Sequence, residues 1–306
     1  MISVIVPVYN EEAVIPELVR RLAAAASAWG QHEIIFIDDG SRDRTARLLT
    51  ETARNNHHFR LISFSRNFGH QAAVSAGLDY ARGKAVAIID GDLQDPPEMI
   101  GDFIKKWQEG YEVVYATRAT RREHFFKRLA YRIFYRLLSR LSNIAIPLDA
   151  GDFCLMDRQV VDAIVALPER NRFIRGLRAW AGFSTASIPY NRQERFAGEP
   201  KYTFRKLLHL ALDGITGFSV MPLKLATYFG FAISLGSVLA VIWIIIRKLA
   251  WEIAVPGWAS LSVVIFFIGG IQLFIMGVLG EYIGRIFIEV QHRPVYMVKT
   301  KVGFDV

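Results

Sequence analysis

The stretch Ala85-Val86-Ala87-Ile88-Ile89-Asp90-Gly91-Asp92-Leu93-Gln94-Asp95 decides the fold class that we predict for this 306-residue chain. Its apolar first half is short and lies between Gly83 and Pro96, which predicts a buried strand of a parallel sheet. Ligands gather at the carboxyl ends of such strands. Two aspartates separated by one residue supply the oxygen ligands that Mg²⁺ or Mn²⁺ prefers. A polar loop that caps the next helix would look the same, so the neighbouring strands must decide.

Apolar runs alternate with helical patterns along the first third of the chain. Strands are predicted at 3–6, 33–37, 60–64, 85–89 and 113–116, and helices at 12–26, 43–55, 71–81 and 97–109. Repeated strand and helix units with short connections are typical of an α/β fold, in which helices cover both faces of a mostly parallel sheet.

Three further polar clusters follow predicted strands. They are Pro7-Val8-Tyr9-Asn10-Glu11-Glu12, Asp38-Asp39-Gly40-Ser41 and Ser65-Arg66-Asn67-Phe68-Gly69-His70. The carboxyl ends of parallel strands meet at one edge of a sheet, so we expect these clusters to lie beside Asp90. A ring at Tyr9 can stack on a base, and a carboxylate at Asp39 can accept hydrogen bonds from a base or ribose. The edge therefore predicts a nucleotide site, although Ser41 alone could cap a helix.

The composition indicates a protein that is partly soluble and partly membrane-bound. Hydrophobic residues make up 52% of the chain and charged residues 22%, and the formal net charge is +8. Such a charge suits nucleic acid, an anionic membrane surface or phosphorylated substrates. The single cysteine, Cys154, excludes an internal disulfide framework. Met1 leads directly into a strand pattern without a secretory signal, so we expect the N-terminal part to remain in the cytoplasm.

Residues 121–142 are predicted to form an amphipathic helix. Arginines recur at every fourth position from 128 to 140, and apolar residues lie beside them. This pattern indicates an interfacial helix on anionic lipid, and an ordinary solvated surface helix is the alternative. Because the arginines interleave with apolar residues, the pattern argues against nucleic-acid binding.

Two apolar stretches, 225–246 and 259–283, have the length that spans a bilayer. The short connection with Pro256-Gly257 predicts a hairpin, and the positive outer flanks predict a multi-pass protein of the inner (cytoplasmic) membrane whose catalytic part faces the cytoplasm. Arg247 and Lys248 run against that rule. The predicted domains are a catalytic domain at 1–203, a juxtamembrane amphipathic helix at 204–224, two transmembrane helices at 225–283 and a cytoplasmic tail at 284–306.

The chain resembles the family-2 inverting glycosyltransferases with the GT-A fold, and among them the enzymes that attach one sugar to a polyprenyl phosphate. Dolichol-phosphate mannose synthases share Pro7-Val8-Tyr9-Asn10-Glu11, the turn Asp38-Asp39-Gly40-Ser41 and the run from Asp90 to Glu98. Bactoprenol glucosyltransferases of the GtrB type are more similar still, because they add a two-span anchor that ends in a segment like Gly280-Glu281-Tyr282-Ile283-Gly284-Arg285.

The resemblance implies a role for individual residues. Nucleotide-binding residues would be Pro7, Tyr9, Glu11, Asp38, Asp39, Asp90 and Gly91. Asp90, Asp92 and Gln94 would surround a Mg²⁺ or Mn²⁺ ion and the donor diphosphate. Asp152 would be the catalytic carboxylate, unless it is only a turn residue after Gly151. Phosphate contacts would come from Arg195 and Lys201 in a closing loop and, for the lipid phosphate, from Arg118 and Arg128.

The expected partners are a nucleotide-sugar donor, a polyprenyl (undecaprenyl) phosphate acceptor and an anionic lipid membrane, and the resemblance allows a homotetramer. UDP-glucose is the first choice of donor, while UDP-galactose, N-acetylhexosamine donors, GDP-mannose and a UDP-aminoarabinose derivative stay open, since Asp95 replaces the His of many mannose synthases. A phosphate acceptor has a second pKa of about 6 and is already ionised, so Asp152 could act as a base, orient the acceptor or stabilise the anomeric carbon.

Two other functions would share parts of this pattern. A processive polysaccharide synthase would need more spans and a Gln-x-x-Arg-Trp motif, and the sequence contains neither. A non-catalytic membrane scaffold would not need the acids at 39, 90, 92 and 152.

Overall fold

The computed structural model describes residues 1–118, 150–170, 172–191, 220–251 and 257–304. The chain forms two compact units. The α/β unit comprises 1–140, 144–210 and 293–306, and the helical unit comprises 141–143 and 211–292. The bounds of the four predicted domains stay predictions. The tail after residue 292 belongs to the α/β unit, which the predicted division of the chain did not anticipate.

The α/β unit alternates strands and helices as predicted. Its described strands are β1 Ile2–Val8, β2 His32–Asp38, β3 Phe59–Phe64, β4 Ala85–Ile88, β5 Val113–Arg118, β6 Ala150–Asp157, β7 Thr185–Tyr190 and β8 Val298–Val302. Its described helices are α1 Ile15–Ala26, α2 Thr45–Asn55, α3 His70–Tyr80, α4 Ile100–Gln108, α5 Arg158–Val165 and α6 Ile174–Trp180, with a 3-10 turn at Pro97–Met99.

The strands form one sheet in the order β7-β5-β6-β4-β1-β2-β3-β8. Its centre, β4-β1-β2-β3, is parallel throughout. The chain moves from β1 to β2 and β3 on one side and then returns to β4 on the other side of β1. The carboxyl ends of β1 and β4 therefore form the topological switch point, which is where α/β sheets bind ligands.

Packing around β1 explains why the central strands read as apolar runs. All seven residues of β1 are buried because helices cover both faces of the sheet. In α1 the buried residues are Ile15, Leu18, Leu22 and Ala26, which recur at three- and four-residue steps on one face. Full burial of one leucine side chain stabilises a fold by about 1.5–3 kcal/mol.

Three described strands, β6, β7 and β8, lie outside the predicted alternation, and two of them run antiparallel to their neighbours. The strand β6 inserts antiparallel between β4 and β5. The strand β8 pairs antiparallel with β3 at the far edge of the sheet. The strand β8 begins at Val298, and Tyr296 before it packs through its side chain. The Tyr296 ring stacks on Phe64 with 5.1 Å between centroids, and its hydroxyl donates to Oδ2 of Asp79 at 2.7 Å.

The helical unit contains α7 Met221–Trp251 and α8 Trp258–Val290. Both helices are longer than the apolar stretches that predicted them, and each is long and apolar enough to cross a membrane, at Met221–Ala240 and Val264–Val290. Large apolar side chains on them are exposed, among them Phe231 at 70% and Phe266 at 79%. Exposed apolar surface of this extent indicates association with lipid. The predicted interfacial helix at 121–142 and residues 204–219 lie outside the described residues.

Candidate active site

The loop after β4 carries the two aspartates of the opening stretch. Asp90 follows this strand closely, and its side chain is 30% exposed. Gly91 is buried, and a Cβ atom there would lie 2.6 Å from Cγ1 of Val8 and 3.0 Å from the carbonyl oxygen of Pro7. Glycine is therefore required at this position so that the loop can pack against the end of β1.

Contacts within the protein also fix the conformation of the rest of the loop after β4. Leu93 adopts a left-handed backbone conformation with φ 59° and is buried. Oδ1 of Asp92 accepts a hydrogen bond from the N–H of Gln94 at 3.2 Å. Asp95 is buried and accepts a hydrogen bond from the hydroxyl of Tyr190 at the end of β7. Asp95 thus ties the loop to β7, whereas Asp90 and Asp92 stay partly exposed.

Asp152 lies across from Asp90. The antiparallel register of β4 and β6 pairs Ile88 with Cys154. Extended by two residues, forward from Ile88 and back from Cys154, this antiparallel register places Asp90 opposite Asp152. Asp152 is therefore a strand residue and not a turn residue, the alternative that the sequence allowed. Its side chain is only 15% exposed.

His70, the first residue of α3, lies between these two carboxylates. Its Nε2 atom is 3.4 Å from Oδ2 of Asp152 and 3.7 Å from Oδ1 of Asp90. The residue before it, Gly69, has φ 101°, a backbone conformation that favours glycine and turns the chain into the helix. The negative charges of Asp90 and Asp152 repel each other, and a cationic imidazole between them offsets the repulsion.

Two further side chains hold Asp152. Nε2 of Gln71 donates to Oδ2 of Asp152 at 3.4 Å, and Oε1 of Gln71 accepts the N–H of Ile174 at 2.9 Å. Arg175 approaches Oδ1 of Asp152 through Nε and Nη2, each at 3.3 Å. Because Ile174 begins α6, the Gln71 amide positions this helix so that Arg175 reaches the carboxylate.

Arg178 lies one helical turn after Arg175 in α6 and also contacts the strand β6. It is 4% exposed, and its Nη2 donates to the carbonyl oxygen of Gly151 at 3.4 Å. Its guanidinium also lies 5.3 Å from the centre of the Tyr115 ring, a cation–π contact. The backbone next to Asp152 is thus held by a buried cation.

The charges of this cluster determine its protonation. Burial would lower the pKa of His70, but the hydrogen bond to Asp152 and the charges of Asp90 and Asp152 outweigh burial and raise that pKa to about 9. Burial would raise the pKa of Asp152, but the Arg175 charge and the contact with His70 hold it far below its usual range. At neutral pH His70 is therefore a cation and Asp152 an anion. A carboxylate whose pKa is lowered in this way is a weak proton acceptor.

The predicted nucleotide residues lie at the ends of β1 and β2. Pro7 is buried within β1, while Tyr9 and Glu11 follow it and are partly exposed. The hydroxyl of Ser41 accepts the N–H of Asn10 at 2.9 Å and so connects the loops after β1 and β2. Ser41 therefore does not serve as a simple helix cap, and α2 begins four residues later.

The two acids at the end of β2, Asp38 and Asp39, hold backbone groups. Oδ1 of Asp38 accepts the N–H of Ser41 at 3.0 Å. The two carboxylate oxygens of Asp39 accept the N–H groups of Phe68 and Gly69 at 2.7 and 3.0 Å. Burial raises the pKa of Asp39, and these two hydrogen bonds partly offset that effect. Asp39 is 3% exposed, so a contact with a nucleotide would use the acceptor sites that these bonds leave.

The residues after β4 fit a divalent cation by the chemistry of their oxygen atoms. Among the described residues, no group of three or more His, Cys, Asp or Glu could hold a metal ion by itself. Mg²⁺ commonly binds one or two carboxylates, keeps several waters and completes its shell with substrate phosphates. Asp90 and Asp92 supply such a pair, and the backbone N–H of Gln94 orients Asp92.

The structure brings some predicted residues together and leaves others undescribed. Asp90 and Asp152 form one cluster. Arg118 ends β5, but its side chain lies outside the described part of the chain, as do Arg128, Arg195 and Lys201. Sequence reasoning placed His70 in a polar cluster beside Asp90 without assigning it a role, and it missed Gln71, Arg175 and Arg178 as members of the site. His70 closes the polar cluster after β3, a signal that the other three residues lack.

Known proteins are similar to this chain over almost its whole length. The family model described as Glycosyl transferase family 2 matches residues 3–165, and the model described as GtrB C-terminal hairpin matches residues 221–286. An uncharacterized glycosyltransferase of Bacillus subtilis (strain 168), YkcC, is 48% identical over 99% of this chain and 94% of its own. A bactoprenol glucosyl transferase of Shigella phage SfV is 45% identical over 98% of both chains.

Among solved structures, glucosyl-3-phosphoglycerate synthase from Mycobacterium tuberculosis is similar with a TM-score of 0.49 and 20% identity, over 71% of this chain and 77% of that chain. The family model covers more than half of the chain's 306 residues, and the relatives match it almost from end to end. The chain therefore belongs to glycosyltransferase family 2, and its C-terminal helices form a GtrB-type hairpin.

Proposed function

We propose that the chain transfers one glucose residue from UDP-glucose to a polyprenyl phosphate, with inversion at the anomeric carbon, to give polyprenyl-phosphate-glucose. One observation carries the proposal: the 45% identity to a bactoprenol glucosyl transferase extends over 98% of both chains. The match therefore includes both the α/β unit, which would bind the donor, and the hairpin, which would keep the enzyme where a lipid acceptor lies.

The reaction is an in-line displacement. An oxygen of the acceptor phosphate forms a bond to the anomeric carbon while the bond from that carbon to the donor diphosphate breaks, and the nucleoside diphosphate leaves with the electron pair. The acceptor has a second pKa of about 6 and needs no base to ionise it. Because no base is needed, the reaction is compatible with Asp152, which is held as an anion and is a weak base.

We assign two tasks to Asp152. It orients Arg175, whose guanidinium carries five N–H donors and is 24% exposed, so that Arg175 can meet an oxygen of the acceptor phosphate. Its negative charge also stabilises the positive character that develops at the anomeric carbon. Arg118 and Arg128 remain predicted contacts of the lipid phosphate, and Arg195 and Lys201 remain predicted contacts of the donor phosphates.

A divalent metal ion, Mg²⁺ or Mn²⁺, would be held by Asp90 and Asp92 and would neutralise charge on the leaving diphosphate. Gln94 supports this site through its backbone contact with Asp92. At the other end of the donor, Tyr9 would stack on the base, and Pro7, Glu11, Asp38, Asp39 and Gly91 would shape the pocket around the nucleotide.

The hairpin and the charge pattern support a proposal for the location. Exposed apolar residues on α7 and α8 suit lipid, and basic residues flank the outer ends of the hairpin. We therefore propose a multi-pass protein of the inner membrane with the α/β unit on the cytoplasmic face. The helix at 121–142 would hold the acceptor-binding side at the level of the anionic headgroups. A homotetramer is proposed from the resemblance alone.

A donor screen tests the proposal. The purified full-length protein is incubated with undecaprenyl phosphate, Mn²⁺ and one radiolabelled nucleotide sugar at a time, and the organic phase is counted. We expect label from UDP-glucose to enter the lipid phase faster than label from UDP-galactose or GDP-mannose. Faster transfer from another donor would replace glucose in the proposal, and no transfer from any donor would contradict it.

A further inference from the structure

A cleft of about 530 Å³ lies on the side of the sheet where α2 and β8 meet the ends of β2 and β3. Its walls come from the turn at Gly40 and Ser41, the exposed side of α2, the residues after β3 and the start of β8. The basic lining residues are Arg42, Arg47, Arg54, Arg66 and Lys299, and the acidic ones are Asp38 and Glu51.

Most of these positive charges have no negative partner within the described part of the chain. Arg47 pairs with Glu51 at 3.3 Å, and the carboxylate of Asp38 is engaged by the N–H of Ser41. Among the residues that the structure describes, no ion pair is formed by the other four basic side chains, which are Arg42, Arg54, Arg66 and Lys299. Like charges that line one cleft repel each other, and a bound anion would remove that repulsion.

The cleft is separate from the group around Asp152. Gly40 contacts the backbone of Arg66 so closely that a Cβ atom on it would lie 2.5 Å from the Arg66 carbonyl carbon. Asp39, next to Asp38 in the chain, bonds to Phe68 and Gly69 and does not line the cleft. The loops after β2 and β3 are thus locked together, and only Asp38 of the predicted nucleotide residues lines the cleft.

Its size and lining indicate the class of ligand. Small-molecule sites usually measure about 300–1,000 Å³, and most are lined by apolar residues. This cleft lies in that range of size, but arginine, lysine, serine, threonine and asparagine dominate its walls, and Phe64 and Ala46 are the apolar side chains named among them. Arginine pairs favourably with phosphate because its planar group donates two parallel hydrogen bonds.

We propose that this cleft is a second anion-binding site that takes a compound with at least two phosphate groups and binds it without the metal ion. The strand β8 follows the membrane helices in the chain and supplies one wall of the cleft. Through Lys299 the site therefore depends on the C-terminal tail. The inference does not rest on the proposed sugar transfer.

Calorimetric titration of the purified full-length protein with inorganic tripolyphosphate, in EDTA, tests the proposal. EDTA removes the metal on which donor binding at Asp90 and Asp92 would depend. We expect saturable binding by the wild type and a loss of affinity of about tenfold or more in Arg54→Gln/Lys299→Gln, because two charge-assisted contacts are lost. The matched control Lys105→Gln/Lys106→Gln removes two exposed cations on α4 and should change affinity less than twofold, about the size of a general charge effect.

A second variant and two membrane compositions complete the experiment. Arg42→Gln should weaken binding in the same direction and guards against a folding defect in the double variant. In nanodiscs, competition by cardiolipin, whose headgroup carries two phosphate groups, would identify a lipid headgroup as the occupant, and no competition would identify a soluble phosphate compound; either result supports the site. Equal tripolyphosphate affinity in the wild type, the cleft variants and the control would overturn it.

Discussion

The Nε2 atom of His70 lies 3.4 Å from Oδ2 of Asp152. This contact joins the start of α3 to β6, and Asp90 lies 3.7 Å from the same nitrogen. A cation thus separates the carboxylate proposed to hold the metal from the carboxylate proposed to face the anomeric carbon. The arrangement keeps Asp152 ionised, which suits an acceptor that arrives already deprotonated.

Replacing Asp152 by Asn should lower kcat for glucose transfer about a hundredfold or more, because the charge that orients Arg175 and faces the anomeric carbon is lost. Asp162→Asn, which alters an exposed carboxylate on α5, is the matched control and should keep normal turnover. Initial rates of glucose transfer by the purified proteins measure this change. Wild-type rates in Asp152→Asn would remove this residue from the site.

His70→Gln should reduce kcat about tenfold while the protein stays folded, since the side chain is 40% exposed and the loss concerns charge rather than packing. The neutral amide cannot offset the repulsion between Asp90 and Asp152. His57→Gln, at an exposed position, serves as the comparison. If both histidine variants turned over at the wild-type rate, His70 would have no part in the reaction.

Removal of divalent cations by EDTA should abolish transfer, and added Mn²⁺ or Mg²⁺ should restore it. Asp92→Asn should raise the Mn²⁺ concentration needed for half-maximal rate about tenfold, because one of two carboxylate ligands becomes a neutral amide. Asp102→Asn, in an exposed ion pair on α4, should leave the Mn²⁺ dependence unchanged. Full activity in EDTA would contradict a metal at Asp90 and Asp92.

Tyr296→Phe should destabilise the α/β unit by about 1 kcal/mol, the usual net contribution of one hydrogen bond. Burial first, and then the bond to Asp79, raise the pKa of Tyr296, so its hydroxyl stays protonated and can donate. Thermal unfolding should show a lower midpoint in Tyr296→Phe than in the control Tyr111→Phe, whose ring is partly exposed. Equal midpoints would show that the tail is held by ring stacking and strand pairing alone.

Much of the fold was predictable from sequence. The predicted α/β arrangement of the GT-A type is confirmed. It was predictable because each central strand is a short, mostly apolar run with polar residues at or just after its end. The hairpin was predictable because each of its apolar stretches is long enough to span the hydrocarbon core of a bilayer. The tail strand β8 was harder to locate, since Val298-Lys299-Thr300-Lys301-Val302 has charged, exposed residues on an edge strand.

The candidate site was only half predictable. Asp90 and Asp92 carry a local pattern, but their relation to Asp152 depends on the antiparallel register of β4 and β6, which no local pattern encodes. Gln71 and Arg175 reach Asp152 because α6 begins at a hydrogen bond from Ile174 to the Gln71 side chain. Such a contact joins segments distant in sequence, so periodicity and strand ends cannot predict it.

The configuration of the product tests the central claim most directly. Purified full-length protein, UDP-glucose labelled with ¹³C at the anomeric carbon and undecaprenyl phosphate should give a lipid-phosphate glucose whose anomeric carbon NMR couplings report the β configuration, since the α-linked donor is displaced once. An α-linked lipid product would contradict single in-line displacement, and label recovered only as free glucose would contradict transfer to the lipid.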